Sequence, residues 1–182
     1  MRSKELFYWL KNIFSNSKKN ICIVVPGGGE FAENIRISQK QLNFSDEIAH
    51  KMAILAMSQY GYFLTEINKN INIVRNMNEL KEIKGNIGSF LLLPDYSFES
   101  NIDLPKSWSF SSDSIALWLA IFMNADKLIM IKSKKVTFDK SKIDDHIKDN
   151  DIDKGFKILI KKYKGELIFL DKKQHNVLKE II

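Results

Sequence analysis

Three short runs, Ile21 to Val25, Phe90 to Pro94 and Leu128 to Ile131, are apolar from end to end, and stretches of helical spacing lie between them. A strand without a polar face must be covered on both sides, and parallel strands joined by helical crossovers are covered in that way. The pattern therefore predicts an α/β fold, a three-layer α/β/α sandwich with a mainly parallel central sheet. Weaker signals add strands at Ile71 to Arg75 and Glu166 to Leu170. With 182 residues and 45% hydrophobic content the chain can fill one core, so residues 1–182 are read as a single domain.

The helical stretches carry their own signatures. Leu6, Trp9, Leu10, Ile13 and Phe14 recur at spacings of three and four before a polar break from Ser15 to Asn20. Helical character resumes from Glu30 to Ile37, and Ser45-Asp46-Glu47 offers a cap and two acids before a long helix reaching about Tyr60. A short helix is expected from Asn78 to Ile83, then a polar loop leading to the capping cluster Ser111-Ser112-Asp113-Ser114. The helix that follows, Ile115 to Met123, is apolar nearly all round and so central. Residues 133–150 give no clear pattern. A last stripe from Ile152 to Tyr163 predicts a helix with Gly165 just past its end, and a short terminal helix follows the final strand.

Ligands of parallel sheets gather outside the carboxyl ends of the strands, which directs attention to residues just after Val25, Pro94 and Ile131. After the first of these come Pro26, Gly27, Gly28 and Gly29 and then a helix, so backbone amides can approach an anion closely. A sharp turn is the other role open to such a loop. It is neither a Walker sequence nor a dinucleotide fingerprint. Asp113 in the first turn of the central helix can cap amides or face a ligand, and Ser111, Ser112 and Ser114 exceed what one cap needs, which favours a site. His50 falls in the apolar sector of its helix, as a core histidine or a pocket hydrogen-bonding group.

Lone Cys22 reads as a small core residue of a strand, excludes an internal disulfide and suits a reducing compartment, so a cytoplasmic location is expected. No run reaches the length of a membrane span. His146 and His175 lack partners at ligand spacing, so no protein-held metal site is expected. The net charge of +6 favours anionic ligands, and two windows are wholly basic, Lys127 to Lys135 and Lys154 to Lys164. Without a recognised motif or spaced exposed aromatics, nucleic acid ranks low as a partner.

Taken together, Ile23 to Ala32, the segment Ser45 to Ile54, and Leu104-Pro105-Lys106-Ser107-Trp108 through Ser114 resemble the amino acid kinase superfamily, the aspartate/glutamate/uridylate kinase-like proteins. The branch most like this chain is that of the aminomethylfuran phosphate kinases of methanofuran biosynthesis, and the resemblance covers most of residues 5–170. It implies an open sandwich and transfer of the ATP γ-phosphoryl group, with Mg²⁺, to a phosphate or carboxylate acceptor. By that resemblance Gly27, Gly28 and Gly29 approach the acceptor and Asp113 organises charge around the reaction; Ser112, Ser114 and His50, singled out from the residues themselves, complete the candidate substrate-binding set. Family members open with a strand and a Lys-x-Gly-Gly-Ser loop, whereas this chain begins in the helix that should follow, so the usual first strand is expected to be missing. The segment Ile131-Lys132-Ser133-Lys134-Lys135 replaces the family's Thr-Asp-x-x-Gly, and Lys132 at a strand end is a candidate for part of the lost charge. The resemblance further implies a homo-oligomer, or a complex with a complete kinase homologue in which this chain is a ligand-binding or assembly subunit.

Overall fold

The computed structural model describes residues 3–16, 20–69, 71–101 and 103–181. Part of the polar break expected at Ser15 to Asn20 lies outside them. The order is α1 (Ser3–Asn16), β1 (Ile21–Val24), α2 (Gly29–Leu42), α3 (Asp46–Ile67), β2 (Asn72–Val74), α4 (Met77–Glu82), β3 (Gly88–Leu92), α5 (Tyr96–Asn101), α6 (Ser112–Met123), β4 (Lys127–Lys132), α7 (Ile143–Lys148), α8 (Lys154–Leu159), β5 (Glu166–Asp171) and α9 (Leu178–Ile181).

Every described strand pairing is parallel, as the apolar runs require. Strand β3 lies between β1 and β2, with Ile23 opposite Phe90 and Ile73 opposite Leu91, and β4 pairs with β5 from Lys127 opposite Glu166 to Lys132 opposite Asp171. The strands thus form ladders of three and two, and no ladder joins β1 to β4 among the described residues. Shared helical cover holds the ladders together. On one side Trp9 and Ile13 of α1 pack with Val24 of β1, Ile129 of β4 and Leu170 of β5. On the other, the main core runs from α3 through α6 to α8 and takes in residues of both ladders, among them Phe90, Leu92 and Met130. Helix α6, apolar all round in sequence, accordingly buries Ile115, Leu117 and Leu119.

Several boundaries depart from the sequence pattern, each for a local reason. Helix α3 runs on past Gly61 to Ile67 because that glycine is a point of close approach: a Cβ there would collide with Leu93 and touch Pro26. Residues 96–101, expected as loop, form α5, whose start Asp95 holds through hydrogen bonds from the Ser97 hydroxyl and the Phe98 amide. Helix α8 stops at Leu159 rather than Tyr163, since the Glu166 amide donates to the Asp126 carbonyl at 2.7 Å and draws the chain into β5. Left-handed caps are supplied by Asn43 and Asn124, at φ 52 each, and Gly165 is not among the positive-φ residues. The stretch 133–150 holds a 3-10 turn at Lys140–Lys142 and helix α7, fastened by His146, whose Nε2 accepts from the Asp139 amide at 3.0 Å while Nδ1 meets Asp151 at 2.8 Å.

Candidate functional site

Strand β1 delivers the chain to Pro26 at its carboxyl end, and the glycine loop turns it into α2 with Gly28 as the N-cap residue. No side chain caps that helix. The first-turn amides of any helix lack intrahelical acceptors and carry partial positive charge, so an uncapped start beside a cavity favours an anion. Gly29 sits at φ +55, and a Cβ on it would meet the Tyr60 ring at 2.9 Å; both geometry and space call for glycine at this position.

Helix α6 aims its own start at the same place. A Cβ on Gly27 would lie 3.6 Å from the Ser112 hydroxyl, and a cavity of about 210 Å³ opens between the two helix starts. Gly27, Gly28, Gly29, Ser112 and His50 all line it. Five of the residues singled out in the sequence thereby share one wall, and His50, though buried, combines the core position and the pocket position that its helical sector left open. Ile54 and Met57 of α3 make the floor apolar. Ser114 does not join them: it is fully buried, and its hydroxyl is committed to Asp153.

Asp113, one residue past Ser112, does not cap its helix. Its two carboxylate oxygens each accept from the Lys132 ammonium at 2.7 Å, and the Asp153 backbone amide also donates to it. The partners are 19% and 17% exposed. Burial pushes the Asp113 carboxyl above the ordinary aspartate range, and Lys132 pulls the other way. The capping role falls instead to Asp153, whose carboxylate accepts from the amides of Ser111 and Ser114 and both their hydroxyls, and from the Phe156 amide at 3.0 Å. One carboxylate therefore fixes the starts of α6 and α8, and with them the direction in which Ser112 and Asp113 point.

Two site residues escape a reading of the sequence alone. Arg36 lines the cavity two helical turns past Gly29, on the face that also presents Ala32 and Glu33; its guanidinium lies 4.6 Å from the Trp108 ring centroid, and Glu33 stands 3.7 Å off. Trp108 is held by donating its indole N–H to Gln39 at 2.7 Å. The i, i+3, i+4, i+7 spacing of Gly29, Ala32, Glu33 and Arg36 was a usable signal for the first. Asp153 offered only a local signal, an acid three residues before Phe156 at the start of α8; its tie to α6 joins residues about forty positions apart and left none.

The cavity can hold a small anion between glycine amides and a guanidinium, with Lys132 and Asp113 next to its rim residue Ser112. Among the described residues no three His, Cys, Asp or Glu side chains converge as a metal cage, and the Asp113 and Asp153 carboxylates are already engaged. These donors do not make a resident Mg²⁺ site. No described helix is long and apolar enough to cross a membrane.

No protein-family model matches the sequence. A curated protein does: [5-(aminomethyl)furan-3-yl]methyl phosphate kinase of Methanocaldococcus jannaschii is 31% identical over 174 residues, spanning 89% of this chain and 78% of that protein. The chain belongs to the amino acid kinase superfamily. The crystal structure of uridylate kinase from Archaeoglobus fulgidus agrees in fold, with a TM-score of 0.69 at 16% identity over 99% of this chain and 89% of that one. For an amino acid kinase homologue, parallel strands under helical layers are the expected architecture, and the glycine loop and the head of α6 fall on the carboxyl-end side of β1 where such a sheet presents ligands.

Proposed function

We propose that this kinase homologue transfers the γ-phosphoryl group of ATP to a small anionic acceptor, a phosphate or a carboxylate, held in the glycine-lined cavity. The observation that carries the reading is the convergence of two helix starts, those of α2 and α6, on one cavity, with the partly buried Lys132–Asp113 pair one residue past its lining residue Ser112. An acceptor oxyanion attacks the γ-phosphorus, the bond from that phosphorus to the β–γ bridging oxygen breaks, and ADP leaves. An ionised acceptor needs no general base, so the protein's task is to place the two anions in line and offset their repulsion. Gly28 and Gly29 amides and Arg36 hold the acceptor; Lys132, kept in place by Asp113, offsets charge developing on the phosphoryl oxygens.

The nucleotide approaches from the carboxyl ends of the strands, and any Mg²⁺ arrives on its phosphates, consistent with a cation that keeps most of its waters and takes few protein ligands. A phosphorylated aminomethylfuran is the first acceptor to try, by analogy with the Methanocaldococcus relative. The reading includes a soluble chain of one domain that associates with another copy or with a complete kinase homologue. Lys132 is already committed to an aspartate, which favours a second reading as a ligand-binding subunit without turnover.

The test measures ADP release from MgATP with phosphate and carboxylate acceptors, alongside calorimetric binding of each. Lys132→Ala is expected to lower turnover at least a hundredfold with acceptor affinity nearly unchanged, as for loss of a charge-stabilising group. Acceptor binding without ADP release supports the subunit reading. If neither acceptor nor nucleotide binds, both readings fail.

A further inference from the structure

We propose that a second cavity, at the end of the three-stranded ladder away from the glycine loop, binds a small organic anion with a flat apolar body and a single negative charge. It measures about 590 Å³, within the range of sites that enclose a small molecule. Asn72 and Gly88, the first residues of β2 and β3, line it, whereas the glycine-lined cavity opens past the carboxyl end of β1. Strand β3 alone separates the two ends by about 13 Å at 3.3 Å per residue, so each cavity can fill without the other. Binding here is independent of the phosphotransfer reading and needs no turnover.

The apolar part of the lining sets the body of the ligand. Phe7 and Phe14 stand seven residues apart on α1 and so share one face of that helix. Phe14 and Ile67 also pack on the cluster of Leu6, Leu10 and Leu91, which makes them a fixed wall, while Phe7 is 47% exposed. An aromatic face open to water beside a fixed apolar wall gains from a flat ring laid against it.

Lys11 sets the charge. It falls between the two phenylalanines on the same face of α1, and no other lysine, arginine, histidine or acid joins the lining. Its neighbours three and four residues away are Phe7, Tyr8, Phe14 and Ser15, none of them an acid, and no carboxylate pairs with it among the described residues. The cation is thus open to a ligand, in contrast with Lys132, Lys134 and Lys157, each held by an aspartate. Ser15 and Ser89 add hydroxyls that make no hydrogen bond among the described residues, and Asn72 ties the two strand starts together by donating to the Ser89 carbonyl at 3.3 Å. The same rim takes in Ile67, where α3 ends. Last-turn carbonyls of a helix carry partial negative charge, so they suit a hydrogen-bond donor on the ligand and disfavour a second anionic charge. A carboxylate or sulfonate is therefore preferred to a phosphate monoester.

The probe is anilinonaphthalenesulfonate, a fused ring with one sulfonate and one N–H whose fluorescence rises on leaving water, titrated into the full chain. The expected result is saturable binding of one dye per chain, unaffected by MgATP. Lys11→Met keeps the helix propensity and is expected to weaken binding at least tenfold, and Phe7→Ala, at a half-exposed residue, several-fold, with circular dichroism unchanged for both. Arg36→Met, in the first cavity, should leave the affinity as it was. Phenylnaphthylamine, the same rings without the sulfonate, should bind at least tenfold more weakly, and naphthalenesulfonate should displace the dye better than naphthyl phosphate. A dye that does not bind, or that binds Lys11→Met as tightly as wild type, overturns the proposal. So does a loss that follows Arg36→Met instead, an uncharged analogue that binds equally well, or a phosphate that competes better than the sulfonate.

Discussion

Asp153 ties two helices together through one carboxylate, and its loss should show as a loss of stability. Asp153→Ala leaves the starts of α6 and α8 uncapped and the Ser114 hydroxyl, fully buried, without its acceptor. The expected cost is about 2–4 kcal/mol, from two caps at roughly 1 kcal/mol each and one buried group left unpaired. Urea denaturation checks it. Asp153→Asn, which keeps one acceptor oxygen, should recover part of the loss; no difference between the two variants would show that the side chain merely fills space. At this scale the sequence was legible where a residue acts through its neighbours. Gly29 could be read because a turn must follow a buried strand, whereas the ion pair of Asp113, a residue open in sequence to capping or to a site, is set by Lys132 nineteen residues later.

Elements show the same division between near and far. The strands could be read from apolar runs and the start of α3 from Ser45, whose hydroxyl accepts from the Ile48 amide. The length of α3 could not. A glycine inside a helix weakens it locally, yet here Gly61 lets Leu93 and Pro26 come close, a contact with residues about thirty positions away in either direction. Gly61→Ala is a helix-favouring change on propensity alone, worth about 1 kcal/mol of stabilisation. The clash with Leu93 should reverse the sign and leave a net loss of about 1–3 kcal/mol, as overpacking does. A melting temperature higher than wild type would mean that α3 shifts away from β3 without penalty. Helix α5 escaped notice for a related reason: at six residues it owes its existence to Asp95 and to Phe98, which is fully buried, rather than to any periodic stripe.

Over the whole molecule, part of the lysine charge is answered in place. Within the two basic windows Lys132 pairs with Asp113, Lys134 with Asp151 and Lys157 with Asp144. The acid response of the fold follows from these pairs. Burial opposes ionisation of Asp151, yet Lys134 and His146 outweigh it and hold the carboxyl below its ordinary value. A lowered folded-state value contributes stability that is present above the unfolded value, near 3.9, and is lost as pH falls through the folded one. Asp113 runs the opposite way, since its raised value contributes below the unfolded value and is lost as pH rises through the folded one. Asp151→Asn should thus cost about 1–2 kcal/mol at pH 7 and progressively less as pH falls through the folded-state value of the wild-type carboxyl. Denaturation across the acid range measures it, and a penalty that does not change with pH would assign the effect to packing.

Helix α1 meets the other end of the chain: Trp9 donates its indole N–H to the Lys172 carbonyl, Asn12 donates to the His175 carbonyl, and Leu178 lies buried beside them. A ribosome makes that helix 163 residues ahead of these partners. Until they emerge, Trp9 and Ile13 lack Leu170 and Leu178, and the two ladders are not yet bridged on that side. Final closure of the fold therefore waits for residues 168–178 to emerge, and nascent chains halted before that point carry an uncovered apolar flank for chaperones to hold.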